Sequence, residues 1–295
     1  MSKIRKMLFV TKFEELGFDA LTSMLTLRKA DLEHVVFMNV IERDKVALHR
    51  GKGYQKGEEI RLREAANIRF IDWAENLFEQ GMEVGVYIVV GTMVSEVLKA
   101  AEKEGSDLIV IGRPHRKSGL EFLYSGSAVT ELLHRSAVPV LVYKGIPDNN
   151  YFIDKPFSRP LLATDWEAAS RRAVEYLKPL SDVIEKVHVV HVADEKELSK
   201  DASAMEIQKT RKETRRKLED ICDDLEASGI TARPLIYLGD PDEEIDRAAH
   251  ECKASLVVVG SSGRSAWAER WLGSTPRTIA EESPYPTLLI PPAKA

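Results

Sequence analysis

Glycine residues cluster where an apolar run ends in the second half of this 295-residue sequence. The run ends at Gly260, and Gly263, Gly273, Ser274 and Thr275 follow it. Glycines at a strand-to-helix junction let the backbone turn sharply or approach a ligand, because no Cβ is in the way. Amides and hydroxyls at the start of a helix, together with its positive dipole end, bind anions. The segment therefore predicts an anion clamp, with phosphate as the expected anion.

A carboxylate is expected close to this clamp. The short apolar run "RPLLATD" predicts a strand that ends at Ala163, Thr164 and Asp165. Ligands of doubly wound sheets bind outside the carboxyl ends of the strands, where the strand order reverses. A carboxylate there can accept hydrogen bonds from a ribose hydroxyl or from the exocyclic amine of a base. An anion clamp combined with Asp165 points to a nucleotide.

Strand and helix patterns alternate through the second half. The runs "KVHVVHVAD", "ITARPLIYLGD" and "SLVVVG" predict strands, and the charged segment 203–229 predicts a long helix that stops at Gly229. Another helix is expected from Pro241, because proline suits the first turn and the acids after it face the positive dipole end. Near-continuous Val and Leu in the strands indicate a parallel sheet covered on both faces.

The sequence contains an internal repeat with a period near 150 residues. Residues 105–144 align with residues 253–292, which places Gly112 over Gly260 and Pro139 over Pro286. Each half is therefore expected to form a five-stranded, doubly wound α/β domain. We predict domains at residues 1–146 and 155–295, joined by a linker rich in proline and asparagine.

Composition excludes several classes of protein. Forty-two basic and 47 acidic residues give a net charge of −5, which offers no general attraction to nucleic acid or to an acidic membrane. No apolar run approaches the roughly 20 residues of a membrane helix. The two cysteines, Cys222 and Cys252, lack the spacing of a zinc site or a disulfide framework. A cytoplasmic location is expected, because the basic start "MSKIRKMLFV" is too short in apolar residues for a secretory signal.

The pattern G-x2-G-x9-G-S after the fourth strand, with an aspartate closing the first, resembles the universal stress protein family in its tandem two-domain form. The resemblance covers essentially the whole chain. It implies that the ligand is ATP, or ADP or AMP, with or without Mg²⁺, and that its phosphates and ribose lie at the glycine segment. By position, the resemblance implies these nucleotide-binding residues: Ala163, Thr164, Asp165, Val192, Val259, Gly260, Gly263, Arg264, Gly273, Ser274 and Thr275.

Each of these residues also has a purely structural interpretation. Gly260 could be only the tight exit from a buried strand and Gly263 only a turn, while Ser274 could serve as an N-cap that stabilises its helix by about 1 kcal/mol. Arg264 could be solvated rather than bound to phosphate. Their conjunction with Asp165 is what favours a nucleotide site.

The first half departs from the motif in three places. Lys12 stands where the second half has Asp165, His115 stands where it has Gly263, and ten residues rather than nine separate His115 from Gly126. Lysine cannot accept a hydrogen bond, and a histidine side chain obstructs the approach of the backbone. We expect a degenerate structural copy. The basic loop at residues 115–117 is then either solvated or a cruder anion site.

These features favour a nucleotide-binding stress-response or signalling protein over an enzyme. The sequence lacks the lysine of a P-loop and places no evident general base. Asp165 could hold Mg²⁺ or position a water, so a slow ATP hydrolase or another nucleotide-dependent enzyme of the same fold is the alternative. A nucleic-acid binder that uses the basic stretch 208–217 is disfavoured, because an acidic stretch follows at once.

Both halves end in an apolar strand, "VPVLVYK" and "YPTLLIP", which a doubly wound sheet would leave at its edge. Single-domain members of the family commonly dimerise through their final strands. The resemblance therefore implies that the two halves pair with each other as an intrachain pseudo-dimer related by a pseudo-two-fold axis. A homodimer of whole chains and an unidentified protein partner stay open.

Overall fold

The computed structural model describes residues 3–13, 17–46, 53–113, 122–144, 153–193, 204–260 and 274–291. Strands and helices alternate through the first half. In chain order its elements are β1 (Lys6–Val10), α1 (Gly17–Met24), β2 (His34–Glu42), α2 (Arg43–Val46), α3 (Lys56–Glu79), β3 (Glu83–Gly91), α4 (Met93–Glu104), β4 (Leu108–Arg113), α5 (Phe122–Arg135) and β5 (Val140–Lys144).

The second half repeats this order, except that the short helix α2 has no counterpart among its described residues. Its elements are β6 (Pro160–Ala163), α6 (Ala168–Leu177), β7 (Val187–Ala193), α7 (Ala204–Glu226), β8 (Ala232–Leu238), α8 (Pro241–Glu251), β9 (Leu256–Gly260), α9 (Ser274–Glu282) and β10 (Thr287–Ile290). Short 3₁₀ segments, Leu25–Ala30 and Lys178–Leu180, follow α1 and α6. The helices expected at Pro241 and Ser274 are confirmed, and Asp240 caps α8 by accepting a hydrogen bond from the amide of Asp242.

All ten strands belong to one sheet, in the order β3-β2-β1-β4-β5-β10-β9-β6-β7-β8. Within each half the neighbouring strands are parallel, as the sequence predicts. β5 and β10 are antiparallel where the two halves meet, with Leu141 opposite Leu288. The predicted pairing of the final strands within one chain is therefore confirmed, and each final strand covers the edge of the other.

The hydrophobic core on one face of the sheet runs through both halves. It joins Phe9, Phe37 and Phe70 of the first half to Leu162 and Leu177 of the second half in one buried cluster. The opposite face carries two smaller clusters, one under α4 and α5 and one under α8. The residues of the interdomain strand pair are all buried, and all except Thr287 are apolar, so the two domains form one continuous structure.

The segment before β6 contributes to this core although its sequence reads as a linker. The ring of Phe157 is fully buried in the shared core, and the carbonyl of Pro156 accepts a hydrogen bond from Ser255. The same Ser255 hydroxyl oxygen accepts a hydrogen bond from the amide of Arg159. The segment before β6 is therefore partly buried, although its sequence has neither helical nor strand periodicity.

Candidate functional site

The carboxyl ends of β6 and β9 lie side by side, because the two strands pair in parallel with Ala163 opposite Val259. After β6 the chain places β7 and then β8 on one side, and it later returns to place β9 on the other side. The strand order reverses between β6 and β9. That junction is the position at which doubly wound sheets bind ligands.

A tight turn leads from β6 into α6. Thr164 extends the pairing with β7, because its amide donates to the carbonyl of Val190 at 2.9 Å. The Thr164 hydroxyl then accepts a hydrogen bond from the amide of Trp166 at 3.2 Å, and Trp166 adopts a positive φ of 69°. A positive φ in a bulky residue costs energy and persists only where the surroundings hold it. The turn is therefore a defined feature of this sheet edge.

Asp165 is exposed at the tip of this turn. Its Oδ1 accepts hydrogen bonds from the hydroxyl of Ser170 and, at 3.1 Å, from the amide of Glu167. Among the residues that the structure describes, none donates to the other carboxylate oxygen, Oδ2. The carboxylate is thus held by one oxygen and offers the other as an acceptor.

Trp166 lies between two side chains from neighbouring elements. Its ring stands 4.6 Å from the ring of His191, at the end of β7, and the Lys217 ammonium of α7 lies 5.4 Å from the ring centre. His191 is fixed in turn, because its Nδ1 lies 2.8 Å from the carbonyl oxygen of Thr164. A carbonyl only accepts, so Nδ1 donates in this contact, and in the neutral ring Nε2 is then the acceptor.

Gly260 has a structural reason to be glycine. A Cβ at this position would lie 2.4 Å from the carbonyl carbon of Ala169 and 2.6 Å from the amide nitrogen of Ser170, both in the backbone of α6. The absence of a side chain therefore lets α6 pack onto the end of β9. This tight exit from the strand is one of the two interpretations that the sequence left open, and it needs no ligand.

Several other residues implied by the resemblance belong to the hydrophobic core or pack against it. Ala163 and Val259 are both buried in the cluster under α8, so only their backbone atoms could meet a ligand. Val192 is half-buried and packs against the same cluster. Ser274 and Thr275 begin α9. Gly263, Arg264 and Gly273 lie outside the described residues, so their part in the anion clamp stays a prediction.

The first half contains the same turn after β1. Thr11 donates its amide to the carbonyl of Met38 at 2.9 Å, its hydroxyl accepts from the amide of Phe13 at 2.8 Å, and Phe13 has a φ of 62°. Asn39 takes the place of His191 and donates to the Thr11 carbonyl at 2.9 Å. Arg69 lies 5.1 Å from the ring centre of Phe13, as Lys217 lies over Trp166. The backbone framework is therefore common to both halves.

The side chain at the tip of the turn differs between the halves. Lys12, which replaces Asp165, forms a 2.7 Å ion pair with Glu42 at the end of β2. The hydrogen bond from Lys12 holds the pKa of the Glu42 carboxyl below its ordinary value. Gly17 stands where Ser170 stands, six residues after the threonine, so the hydroxyl that fixes Asp165 has no counterpart. The departure at His115 lies outside the described residues.

The two strand-ending glycines also have different neighbours. A Cβ at Gly112 would lie 2.5 Å from the hydroxyl of Tyr143, a side chain, whereas a Cβ at Gly260 would meet backbone. The Tyr143 ring is buried and stacks on Phe9 at 5.8 Å. Ile290 holds the corresponding place beside Gly260 in the register of β9 and β10. In the first half, therefore, an aromatic ring fills the space beside the glycine.

The glycine spacing and Asp165 do not by themselves single out Trp166, Ser170 or His191. A histidine one residue before Val192, at the carboxyl end of a strand, is a signal that could have drawn attention to this edge. Trp166 follows Asp165 directly, but it belongs to no helical or strand pattern of apolar residues that would explain an aromatic side chain at this position. The hydroxyl of Ser170 matters only because the turn folds back onto α6.

The described ranges contain no group of three or more histidine, cysteine or acidic side chains that could hold a metal ion. Within the same ranges, no helix is both long enough and apolar enough to cross a membrane. Cys222 is buried and Cys252 half-buried, and both are free thiols.

Comparison with known proteins identifies the family. The model of the universal stress protein family matches residues 3–144 and again residues 156–291. A universal stress protein of Methanocaldococcus jannaschii is 26% identical over 153 residues, which is 45% of this chain and 94% of that protein.

One solved structure shows the same architecture over the whole chain, and another is similar to part of it. The crystal structure of a universal stress protein from Archaeoglobus fulgidus covers 99% of this chain and 98% of its own, with a TM-score of 0.74 and 23% identity. An Arabidopsis thaliana member, whose structure has AMP bound, covers 46% of this chain and 92% of its own, with a TM-score of 0.34 and 20% identity. Because the family model matches both halves, the chain belongs to the universal stress protein family, with two such domains in tandem.

Proposed function

We propose that this chain is a nucleotide-binding stress-response or signalling protein that binds one adenine nucleotide in its second half. The nucleotide lies at the junction of β6 and β9. The observation that carries the proposal is the fixed carboxylate of Asp165. One of its oxygens is held by Ser170 and Glu167, and the other is open at the sheet edge where ligands of this fold class bind.

The surroundings of Asp165 suit a base and a ribose. An acceptor held in one orientation loses little rotamer entropy when a ligand hydroxyl or amine bonds to it. His191 Nε2 supplies a second acceptor near the same edge, and Lys217 supplies a positive charge beside Trp166. The phosphates extend toward the start of α9 and the glycine segment, where Gly263, Gly273 and Ser274 offer amides and a hydroxyl. ATP, ADP and AMP share the groups that this arrangement recognises.

We propose that the first half binds no nucleotide. Its turn presents the ammonium of Lys12, which cannot accept from a base or ribose and is already paired with Glu42. The Tyr143 ring fills the space beside Gly112. The first half then contributes the shared core and the β5–β10 pairing rather than a second site.

The experiment is isothermal titration of the full chain with ATP, ADP and AMP, with and without Mg²⁺. We expect about one site per chain. Asp165→Ala removes a charge-assisted hydrogen bond and should weaken binding by about 1–3 kcal/mol, or roughly 5- to 150-fold. Two equivalent sites per chain would contradict the assignment of a degenerate first half.

The matched control is Lys12→Ala, which truncates the side chain at the same position of the repeat. It should leave the affinity and the stoichiometry unchanged. If both variants weakened nucleotide binding equally, the loss would come from a general disturbance of the fold rather than from a lost contact with the nucleotide. Unchanged binding in Asp165→Ala would place the nucleotide elsewhere.

A further inference from the structure

A stripe of exposed apolar side chains runs along α3 in the first half. The helix buries Phe70 and Leu77 against the sheet, and the residues of the stripe lie outside this buried face. Its members are large and well exposed: Ile60 (46%), Ile68 (63%), Ile71 (48%) and Phe78 (58%). Single exposed apolar residues are ordinary, but four on one helix, with Ile68, Ile71 and Phe78 three and seven residues apart, place large apolar side chains close together on one side, as interaction sites do.

The stripe continues toward the open edge of the sheet. β3 is an edge strand, and its Val86 is 44% exposed on the face that α3 covers, since Val84 and Ile88 on that face pack against the core. Arg63 of α3 donates to the carbonyl of Ile88, so this flank of the helix faces the strand. Val86 therefore adds one exposed apolar side chain on the strand beside the helix.

The repeat shows that the fold does not require this stripe. α7 is the counterpart of α3, and both helices end shortly before a glycine of positive φ, Gly81 and Gly229. Aligned on these glycines, three of the four apolar positions are charged in α7: Ile68 corresponds to Arg216, Ile71 to Glu219 and Phe78 to Glu226. The apolar residues thus belong to the surface of the first half rather than to the architecture.

Acidic residues lie among and beside the residues of the stripe. The four exposed carboxylates are Glu64, Asp72, Glu75 and Glu79. None of them has an ion-pair partner among the described residues, whereas Arg61 and Arg63 already pair with Glu58 and Glu59. Glu79 lies in the last turn of α3, where the negative end of the helix dipole disfavours it. At the end of α7, by contrast, Lys178 pairs with Asp224.

The unpaired carboxylates of α3 determine which kind of partner can bind this surface. A second copy of α3 would bring the same unpaired carboxylates together, and an anionic membrane or a nucleic acid would be repelled. We propose that the α3 stripe docks a basic amphipathic helix of a partner protein, with apolar residues over Ile68, Ile71 and Phe78 and Lys or Arg against the four carboxylates. From residue 60 to residue 78 the stripe is about 27 Å long, which suits a partner helix of about five turns.

The test is fluorescence anisotropy of a labelled synthetic peptide with the full-length chain. The probe is an amphipathic helix of about 18 residues with leucine on one face and lysine and arginine on its flanks. It should bind saturably and more weakly as salt is raised, because the flanking charges are exposed. The double variant Ile71→Glu/Phe78→Glu should weaken binding at least about tenfold. Glutamate is the residue that α7 carries at both positions, so the variant is expected to fold, which circular dichroism checks.

Two controls make the outcome decisive. Met205→Glu removes an exposed apolar side chain (81%) from α7 and should leave peptide binding unchanged. A peptide with the same leucines but glutamate flanks should not bind. The proposal is overturned if the cationic peptide fails to bind, if the double variant binds it as tightly as the wild type, or if both peptides bind alike. Light scattering that shows a wild-type dimer lost in the double variant would assign the stripe to a second copy instead.

Discussion

The turns after β1 and β6 share a backbone and differ in chemistry. In both, a threonine holds the turn, the residue two positions later has a positive φ, and a side chain from the neighbouring strand fixes the threonine carbonyl. Only the second turn has an acceptor at its tip, Asp165, held by Ser170. The framework is thus the same in both turns, and two substitutions, Lys12 and Gly17, change the chemistry of this turn in the first half.

The largest effect is expected when the two halves are separated. A fragment of residues 155–295 should dimerise or aggregate, because it exposes β10 along the edge that β5 covers and opens the shared core. Light scattering of the fragment beside the full chain measures this. A well-behaved monomeric fragment would show that the pairing of the halves is dispensable.

Exchanging a residue between the halves should remove nucleotide binding. Gly263→His places in the second half the residue that the first half has at position 115, and its side chain should obstruct the approach of the loop to phosphate. We expect no measurable binding by isothermal titration. His115→Gly is the matched control and should not alter the affinity. If Gly263→His bound the nucleotide as tightly as the wild type, the glycine segment would not be part of the site.

The two strand-ending glycines should differ in their tolerance of a methyl group. Gly260→Ala should lower the free energy of unfolding by about 1–3 kcal/mol, because its Cβ meets the backbone of α6. Gly112→Ala should cost less, since the Tyr143 side chain can shift more easily than backbone. Urea unfolding of the two variants gives the comparison. An equal loss in the free energy of unfolding would show that the α6 backbone shifts as easily as the Tyr143 side chain.

The smallest expected effect concerns the ion pair of the first half. Because Lys12 lowers the pKa of Glu42, the pair stabilises the fold above the ordinary glutamate pKa, and this contribution is lost as the pH falls through the lowered value. The pair is solvent-exposed, so Lys12→Ala should cost less than about 1 kcal/mol at neutral pH. Thermal unfolding at pH 7 and pH 3 measures this, and a difference between variant and wild type that grows at acid pH would contradict it.

Much of the architecture follows from local pattern. Continuous runs of Val, Ile and Leu identified buried parallel strands, Pro241 and the acids after it marked the start of α8, and the internal repeat revealed two similar domains. The pairing of the final strands followed from their apolar edges together with the family resemblance, and the β5–β10 register confirms it. These features are encoded by residues close in sequence or by the need to bury an apolar surface.

The site depends on contacts between residues far apart in the chain. The sequence by itself determined which half carries Asp165 and the complete glycine motif, because residue types and spacing are independent of folding. Only the tertiary structure decided that Gly260 is required by the backbone of α6, that His191 fixes the turn at Thr164, and that Phe157 belongs to the core. These roles follow from packing across the sheet, where a neighbour far away in the sequence, 27 residues from Thr164 to His191 and 91 from Ala169 to Gly260, sets the space and the hydrogen bonds of each residue.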